Sequence, residues 1–512
     1  MKNSISLFII GLALVWTGCN DFLDKNPLSQ PSESTFWKQK SDLDMALTAC
    51  YGTMTKFDNG YFSYGTPLWD SFVDNCRSVE TKTQDVFYGN IDPSMTGIVS
   101  AVYKDAYVAI TRLNLFLRQL ERYTNTDITA DERNFYKEQV LFLRAFYYSY
   151  LYRCYGDVPL VLEPLDMETQ YQPKVAASEI LARIYTDIDD ALTLLPDKTY
   201  GELAGRVTKS AALALKIRMK LYEGYDDAGN ARPDKMSDVL TLAGEINGYT
   251  LCDDFEDLFQ ENGQENNPEI IFSTKYLAPN NYHTSDLWFG AWNHCVPLTS
   301  LTEEFEFTDG SAFSETNPLY RADNPVQNRD PRMDMSVFYQ QLVIEEVKQP
   351  VSSVLPTGYG LKKFVTRDKS LYPLGYNSRS DQDWVHFRYA EVLLAVAEAE
   401  NELNGPTAKA YDAVNRIRGR KGVEMPPLPA GLTQNQLRER IRHERRVELA
   451  FEGQRYFDLK RWRIIGDVMN NFTEPFLPLY KSVFEERFYL WPIPQSEIDK
   501  NQGILIQNPN YK

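Results

Sequence analysis

Two short stretches carry side chains of the kind that hold a polyhydroxylated ligand. Between positions 282 and 294, Tyr282-His283, Trp288-Phe289 and Trp292-Asn293-His294 set large rings among amide and imidazole groups. The axial C–H face of a sugar ring stacks on an aromatic plane, while its hydroxyls exchange hydrogen bonds with Asn, Asp and Arg. Tyr282, His283, Trp288, Trp292 and Asn293 are therefore ligand-binding candidates. Trp69-Asp70, followed by Asp74-Asn75-Cys76-Arg77, places one indole beside mixed polar groups in a loop between helices. It adds Trp69, Asp70, Asp74, Asn75 and Arg77. Such rings serve equally well as plugs in an irregular core, because aromatic burial dominates cores too.

Catalytic chemistry is not indicated. His283 and His294 lie eleven apart with no acidic residue at ligand spacing, so neither a metal nor another cofactor is expected. Asp253-Asp254 and Glu303-Glu304 are carboxylate pairs, but hydrolysis of a glycosidic bond needs two carboxyls facing each other across about 5–10 Å. Neighbours in sequence do not provide that. GxSxG, HExxH and a phosphate-cradling glycine loop do not occur.

The elements that must position these residues are mostly helices. Leu43, Leu47, Cys50 and Met54 recur at helical spacing behind Ser41 and Asp44, which resemble a capping box. A second helix is expected over 99–122. A third follows the box Thr129 to Glu132 and is apolar nearly all round, hence buried on most sides. Further helices are expected from about 178, over 208–224, 233–248, 387–403 and 408–418, and after a box at Thr433 and Gln436. Pairs joined by short turns, repeating every 35–45 residues or so, suggest a mainly α fold of tetratricopeptide-like helix pairs, an α-α superhelix. From about 249 to 385 the periodicity fades into Asn-, Pro- and Gly-rich sequence with short β-like runs such as Ile270-Ile271-Phe272. This predicts an irregular, loop-rich and partly β insert; irregular stretches of that length are usually either functional or linkers, and its aromatics argue against a linker. Along 437–452, Glu439, Glu444, Glu448 and Glu452 thread through five arginines. A network that docks this helix on its neighbours is expected, not a nucleic-acid patch.

Composition narrows the class. With 512 residues, 43% apolar and 24% charged, the chain is long enough to bury a large core. A net charge of −17 repels phosphate backbones and argues against nucleic acid. Met1-Lys2, the apolar run Ile5 to Trp16 and then Thr17-Gly18-Cys19 have the form of a bacterial lipoprotein signal. Cys19 would then be acylated, become the mature N-terminus and anchor the protein in a membrane. The remaining five cysteines, an odd number at wide spacing, predict neither a disulfide framework nor a zinc site. Cys50 and Cys154 read as buried apolar residues.

Four segments together resemble the SusD/RagB family, the surface nutrient-binding lipoproteins of Bacteroidetes. They are the start from Cys19 to Asp24 with Pro27, EQVLFLRAFYYSYLYRCYGDVPL at 138–160, HERRVELAFEGQRYFDLKRW at 443–462, and Leu490-Trp-Pro-Ile-Pro494 through Asn508-Pro-Asn-Tyr511. Arg388 to Leu394 and Asn415 to Arg418 extend the similarity over nearly the whole mature chain. The resemblance implies a signal peptide at 1–18, an anchor and tether at 19–40, and an N-terminal helical region at 41–248. It further implies a ligand-capture lobe at 249–385 and a C-terminal helical region at 386–512, the last two together forming the RagB/SusD domain. It also implies a lipid-anchored position in the outer membrane facing the cell exterior, and non-catalytic capture of an oligosaccharide. The partner it implies is a SusC-like TonB-dependent transporter. Two alternatives stay open: a peptide or glycopeptide ligand, and a lid that gates the transporter without a strong ligand site of its own.

Overall fold

In the computed structural model, residues 36–55, 60–203, 205–339, 355–371 and 374–511 are described. The leader, Cys19 and most of the tether fall outside them. Nine helices of eleven residues or more form the frame: α1 Lys40–Tyr51, α2 Ile98–Arg122, α3 Ala130–Tyr155, α4 Ala177–Leu192, α5 Lys209–Tyr222, α6 Pro233–Ala243, α7 Tyr389–Asn404, α8 Ala408–Arg418 and α9 Gln434–Glu448. The fold is mainly α, as expected. Among the described residues, no helix is long and apolar enough to cross a membrane.

Helix starts follow local chemistry. The Thr129 hydroxyl accepts from the Glu132 N–H at 3.1 Å while the Glu132 carboxylate accepts from the Thr129 N–H at 2.8 Å. The same reciprocal box opens α9 at Thr433 and Gln436. The first helix differs from expectation. It starts at Lys40, and Asp42 rather than Asp44 reaches back, accepting from the Gln39 N–H at 3.1 Å. Asp44 instead pairs with Lys40 at 3.1 Å and accepts from the Tyr136 hydroxyl. Helix α6 stops at Ala243, short of 248, because Gly244, Asn247 and Gly248 are poor helix formers. Helix α7 begins at Tyr389 because Phe387 and Arg388 belong to a strand.

Consecutive helices pack on one another from α2 to α6. Helix α6 then packs on α7, although about 145 residues separate them, and α7 carries both α8 and α9. The intervening lobe is irregular and partly β. Its ladders are two-stranded and antiparallel: β1 (Cys76–Ser78) with β3 (Cys295–Pro297), β2 (Ile270–Thr274) with β6 (Trp384–Arg388), and β4 (Val337–Tyr339) with β5 (Tyr359–Leu361). The first of these fastens the lobe to the segment before α2. One cluster of buried apolar side chains runs from Leu43 to Leu505, through helices at both ends and through the lobe. The five cysteines among the described residues are free and buried.

Helix α9 docks through charge, as its pattern predicts, but through arginines of other elements. Glu444 accepts from Arg332 at 2.6 Å and Arg418 at 2.9 Å. Glu448, one turn on, accepts from Arg388 and Arg420, and Glu452 accepts from Arg388 and Lys363. Like charges stacked at one-turn spacing repel. Here the guanidinium groups reaching in from outside the helix turn that repulsion into cross-links.

Candidate functional site

The end of the 69–77 candidate stretch pairs with the strand that directly follows the 282–294 stretch, more than two hundred residues on in sequence. Cys76, Arg77 and Ser78 pair with Pro297, Val296 and Cys295. The two stretches serve different ends, however. Trp69 lies in a 3-10 turn, Thr66–Phe72, and its ring is 1% exposed. It stacks on Trp491 at 5.6 Å and 8°, and its Nε1–H donates to the Tyr61 carbonyl at 2.9 Å. Asp70 accepts from the Asn75 side-chain amide at 2.9 Å and from the Phe451 N–H at 2.7 Å. Burial raises the Asp70 carboxyl to about 6, against the pull of those two donors. Asp74 is gripped by Arg446 at 3.0 Å and Arg455 at 2.9 Å, and Arg446 Nε also donates to Asn75 Oδ1 at 2.9 Å. Arg77 is half-buried, its guanidinium 5.7 Å from the Tyr480 ring centre. Burial therefore takes Trp69, Asp70, Asp74 and Asn75 out of the set of ligand contacts. The expected ligand loop is a joint, clamped by Arg446 of α9 and by Arg455 just beyond it.

The 282–294 stretch is built as a graded row of rings. After β2, His283 exchanges backbone hydrogen bonds with Ser380, at 2.8 and 3.1 Å. A wide π-helical turn, Asp286–Ala291, follows. Asp286 fixes this turn against the 375–380 loop. Its N–H donates to the Ser380 hydroxyl at 3.0 Å, which donates back to its carboxylate at 2.8 Å. Gly290 is needed for close packing, since a Cβ there would lie 2.6 Å from Leu374 Cδ1. At the inner end, the His283 ring stacks on Tyr64 at 5.2 Å and 11° and meets Tyr276 edge-on. Trp288, half-buried, meets Tyr64 edge-on at 5.5 Å. His294 lies 5.4 Å from Trp288 and 5.3 Å from Trp292. Trp292 in turn meets Tyr376 edge-on at 5.3 Å. Exposure climbs along the row from 2% at His283 to 36% at Trp292 and 84% at Tyr376.

The polar groups sort the same way. His283 is a support: its Nε2 donates to the Gln382 carbonyl at 2.9 Å, its Nδ1 accepts from the Ser285 N–H, and burial pulls the imidazole down to about 4. It is a neutral, satisfied side chain. Burial lowers the His294 pKa too, against the carboxylate of Glu80 3.7 Å away. Asn293 is buried at φ +52°, which Asn tolerates better than most residues, and it turns the chain into β3. Tyr282 is exposed with Arg379 over its ring at 5.4 Å. Sequence reasoning missed Tyr376, Arg379 and Glu80. Gly375-Tyr376-Asn377-Ser378 signals a turn, but nothing in its pattern says that it folds back onto Trp292. Among the described residues, no group of three or more His, Cys, Asp or Glu side chains could hold a metal ion.

Comparison with known proteins agrees with this architecture. A SusD-like carbohydrate binding protein from Bacteroides fragilis superposes with a TM-score of 0.78 at 27% identity, covering 93% of this chain and all of the other. Surface glycan-binding protein A from Bacteroides thetaiotaomicron, at 20% identity and a TM-score of 0.71, covers 93% of this chain and shares the fold. SusD-like protein P2 of Formosa agariphila is 27% identical over 542 aligned residues, spanning both chains in full. The family described as starch-binding and associating with the outer membrane matches residues 21–221. The SusD family matches residues 256–511, half of the sequence, and the chain belongs to it.

Proposed function

We propose that this protein captures a glycan on the exposed end of its ring row and delivers it, uncleaved, to a SusC-like TonB-dependent transporter in the outer membrane. The observation that carries the reading is the gradient itself. Trp292 and Tyr376 are exposed, Trp292 stacks on His294, and Trp288 and Tyr64 continue the row inward behind His294. Large rings held open to water are costly for stability and useful for stacking on sugar. Arg379 and Glu80 supply donors and acceptors for hydroxyl groups nearby. The carbohydrate-binding relative from Bacteroides fragilis, alike over its whole length, supports the ligand class.

Capture without cleavage fits the carboxylates beside the rings. Asp286 is buried and already accepts from Ser380 and the Thr366 N–H, as a structural clasp does. A few stacked rings and hydrogen bonds supply about 4–8 kcal/mol, the range of millimolar to micromolar affinity. In this reading Cys19 carries the lipid that holds the protein at the cell surface.

The test is affinity electrophoresis of the mature chain, begun after Cys19, in gels cast with plant, microbial and host polysaccharides. Retardation by one polysaccharide, lost in Trp292→Ala, is the expected result. Retardation by none, together with tight co-purification with the barrel, would replace this reading with that of a gating lid. A ligand found only among peptides would replace the glycan.

A further inference from the structure

A cleft of about 730 Å³ lies away from the rings, between the C-terminal part of α2 and helices α3 and α4. Its size falls within the roughly 300–1,000 Å³ of small-ligand sites. The floor is apolar and includes the buried Tyr123 and Leu141. The walls carry five cations, although the chain as a whole is strongly acidic.

These cations are not equivalent. Arg144 donates to Asp187 at 2.7 and 2.8 Å and to Asn114 at 2.9 Å, and Arg183 shares Asp187. Arg133 is spent on the carbonyls of Leu120 and Tyr123 at the end of α2. Arg118 is half-buried and has no hydrogen-bond or ionic partner among the described residues, and its Nε is shielded from solvent. Exposed Lys137 is likewise without a partner there. The Arg118 Nε–H is shielded and unmet while its terminal N–H groups stay open to water, so an oxyanion entering the cleft can take up both. On the rim stand three exposed carboxylates, Glu121, Glu163 and Asp190.

We propose that this cleft is a second ligand site, taking the carboxylate of an acidic sugar residue, a uronate, onto Arg118 and Lys137. The proposal shares only the ligand's broad class with the capture reading above. Cationic walls with an acidic rim suit a ligand carrying one planar carboxylate and several hydroxyls. The carboxylate forms a bidentate pair with Arg118, and the hydroxyls donate to the rim. Inorganic phosphate has no ring hydroxyls to donate, and its second charge is repelled by the same rim.

Calorimetric titration of the mature chain with galacturonate, with its neutral counterpart galactose and with inorganic phosphate tests the site. Saturable binding of galacturonate alone is expected, weakened about tenfold or more in Arg118→Gln, as loss of a charged hydrogen-bond partner predicts. Lys137→Gln, at an exposed position, should weaken it several-fold without touching the fold, and decides the matter if Arg118→Gln does not fold. Trp292→Ala should leave it unchanged. Equal affinity in the Arg118 and Lys137 variants, phosphate bound as well as the uronate, or no saturable uronate binding would each overturn the site. Loss of uronate binding in Trp292→Ala instead would move the ligand to the ring row and leave glycan capture standing.

Discussion

Arg388 Nη1 and Glu448 Oε1 lie 2.6 Å apart with both side chains at most 1% exposed, joining the end of β6 to the last turn of α9. Glu448 also accepts from Arg420 at 2.7 Å and Arg332 at 2.8 Å. Burial alone would raise its pKa. Arg420, Arg388 and Arg332 overcome that and hold the carboxyl well below the usual range.

Removing the carboxylate leaves three guanidinium groups crowded in a dry place. Glu448→Ala should therefore lower stability by about 3 kcal/mol, near the lower end for breaking a buried pair, because Glu444, Glu452 and Glu269 still face those guanidinium groups. Urea unfolding followed by tryptophan fluorescence measures it. A loss below about 1 kcal/mol would mean the network relaxes or admits water.

Stability should fall on acidification in two stages. Burial lowers His386 to about 3, with Arg218 adding to the effect, and His283 to about 4. Both are neutral in the folded chain, while the unfolded chain takes up protons near pH 6.5. Stability is thus complete above that pH and declines as pH drops toward the folded values. Glu398 behaves as a carboxylate with a depressed pKa. Burial would raise it, but Arg461 and Arg445 bring it to about 2, so its contribution fades between about pH 4.5 and 2. Replacing His386 by Gln should flatten the first stage by about 1.4 kcal/mol per pH unit, one proton's worth. An unchanged slope in urea midpoints between pH 6 and 4.5 would contradict the assignment.

The two indoles named from sequence should part company in mutants. Trp69→Ala opens a cavity between Trp491, Phe72 and Phe457 and should cost about 3–5 kcal/mol. Trp292→Ala and Tyr376→Ala change exposed rings and should alter stability by about 0.5 kcal/mol or less while abolishing retardation in polysaccharide gels. Gel mobility equal to the parent in both surface variants would remove the ring row as the ligand platform.

Gly453→Ala probes the joint under Trp69. This glycine has φ +71°, and a Cβ there would sit 2.5 Å from Thr66 Cγ2 and 3.1 Å from the Thr66 carbonyl. Backbone strain and overpacking together should cost about 2–4 kcal/mol. A thermal melt matching the parent would show that the 451–454 turn shifts to accommodate the methyl group.

Much of the frame was legible because its determinants are local. The boxes at Thr129 and Thr433, the stripe of Val102, Ala106, Ile110 and Leu113, and the stop at Gly405 depend on residues within a few turns of one another. The site was half legible. Ring types and the 282–294 stretch could be read, but exposure is a long-range property. Whether an indole meets Trp491 or water depends on chain hundreds of residues away, so Trp69 and Trp292 look alike in sequence. Tyr376 was invisible for the same reason, since its place is set by the Asp286–Ser380 clasp. The acids of α9 revealed that a network exists, while Arg332, Arg388 and Arg420, its outside partners, carry no local mark.

Anchoring the outer rings through His294 and Trp288 to Tyr64 bears on time as well as affinity. A platform already seated in its final geometry orders few side chains when a ligand arrives, so arrival need not wait for rearrangement. With association near 10⁶ M⁻¹s⁻¹ and a dissociation constant of about 10 μM, a bound chain end stays for roughly a tenth of a second. If the proposed capture holds, such a surface would sample many chain ends per minute, and a brief stay would leave each one free to move on.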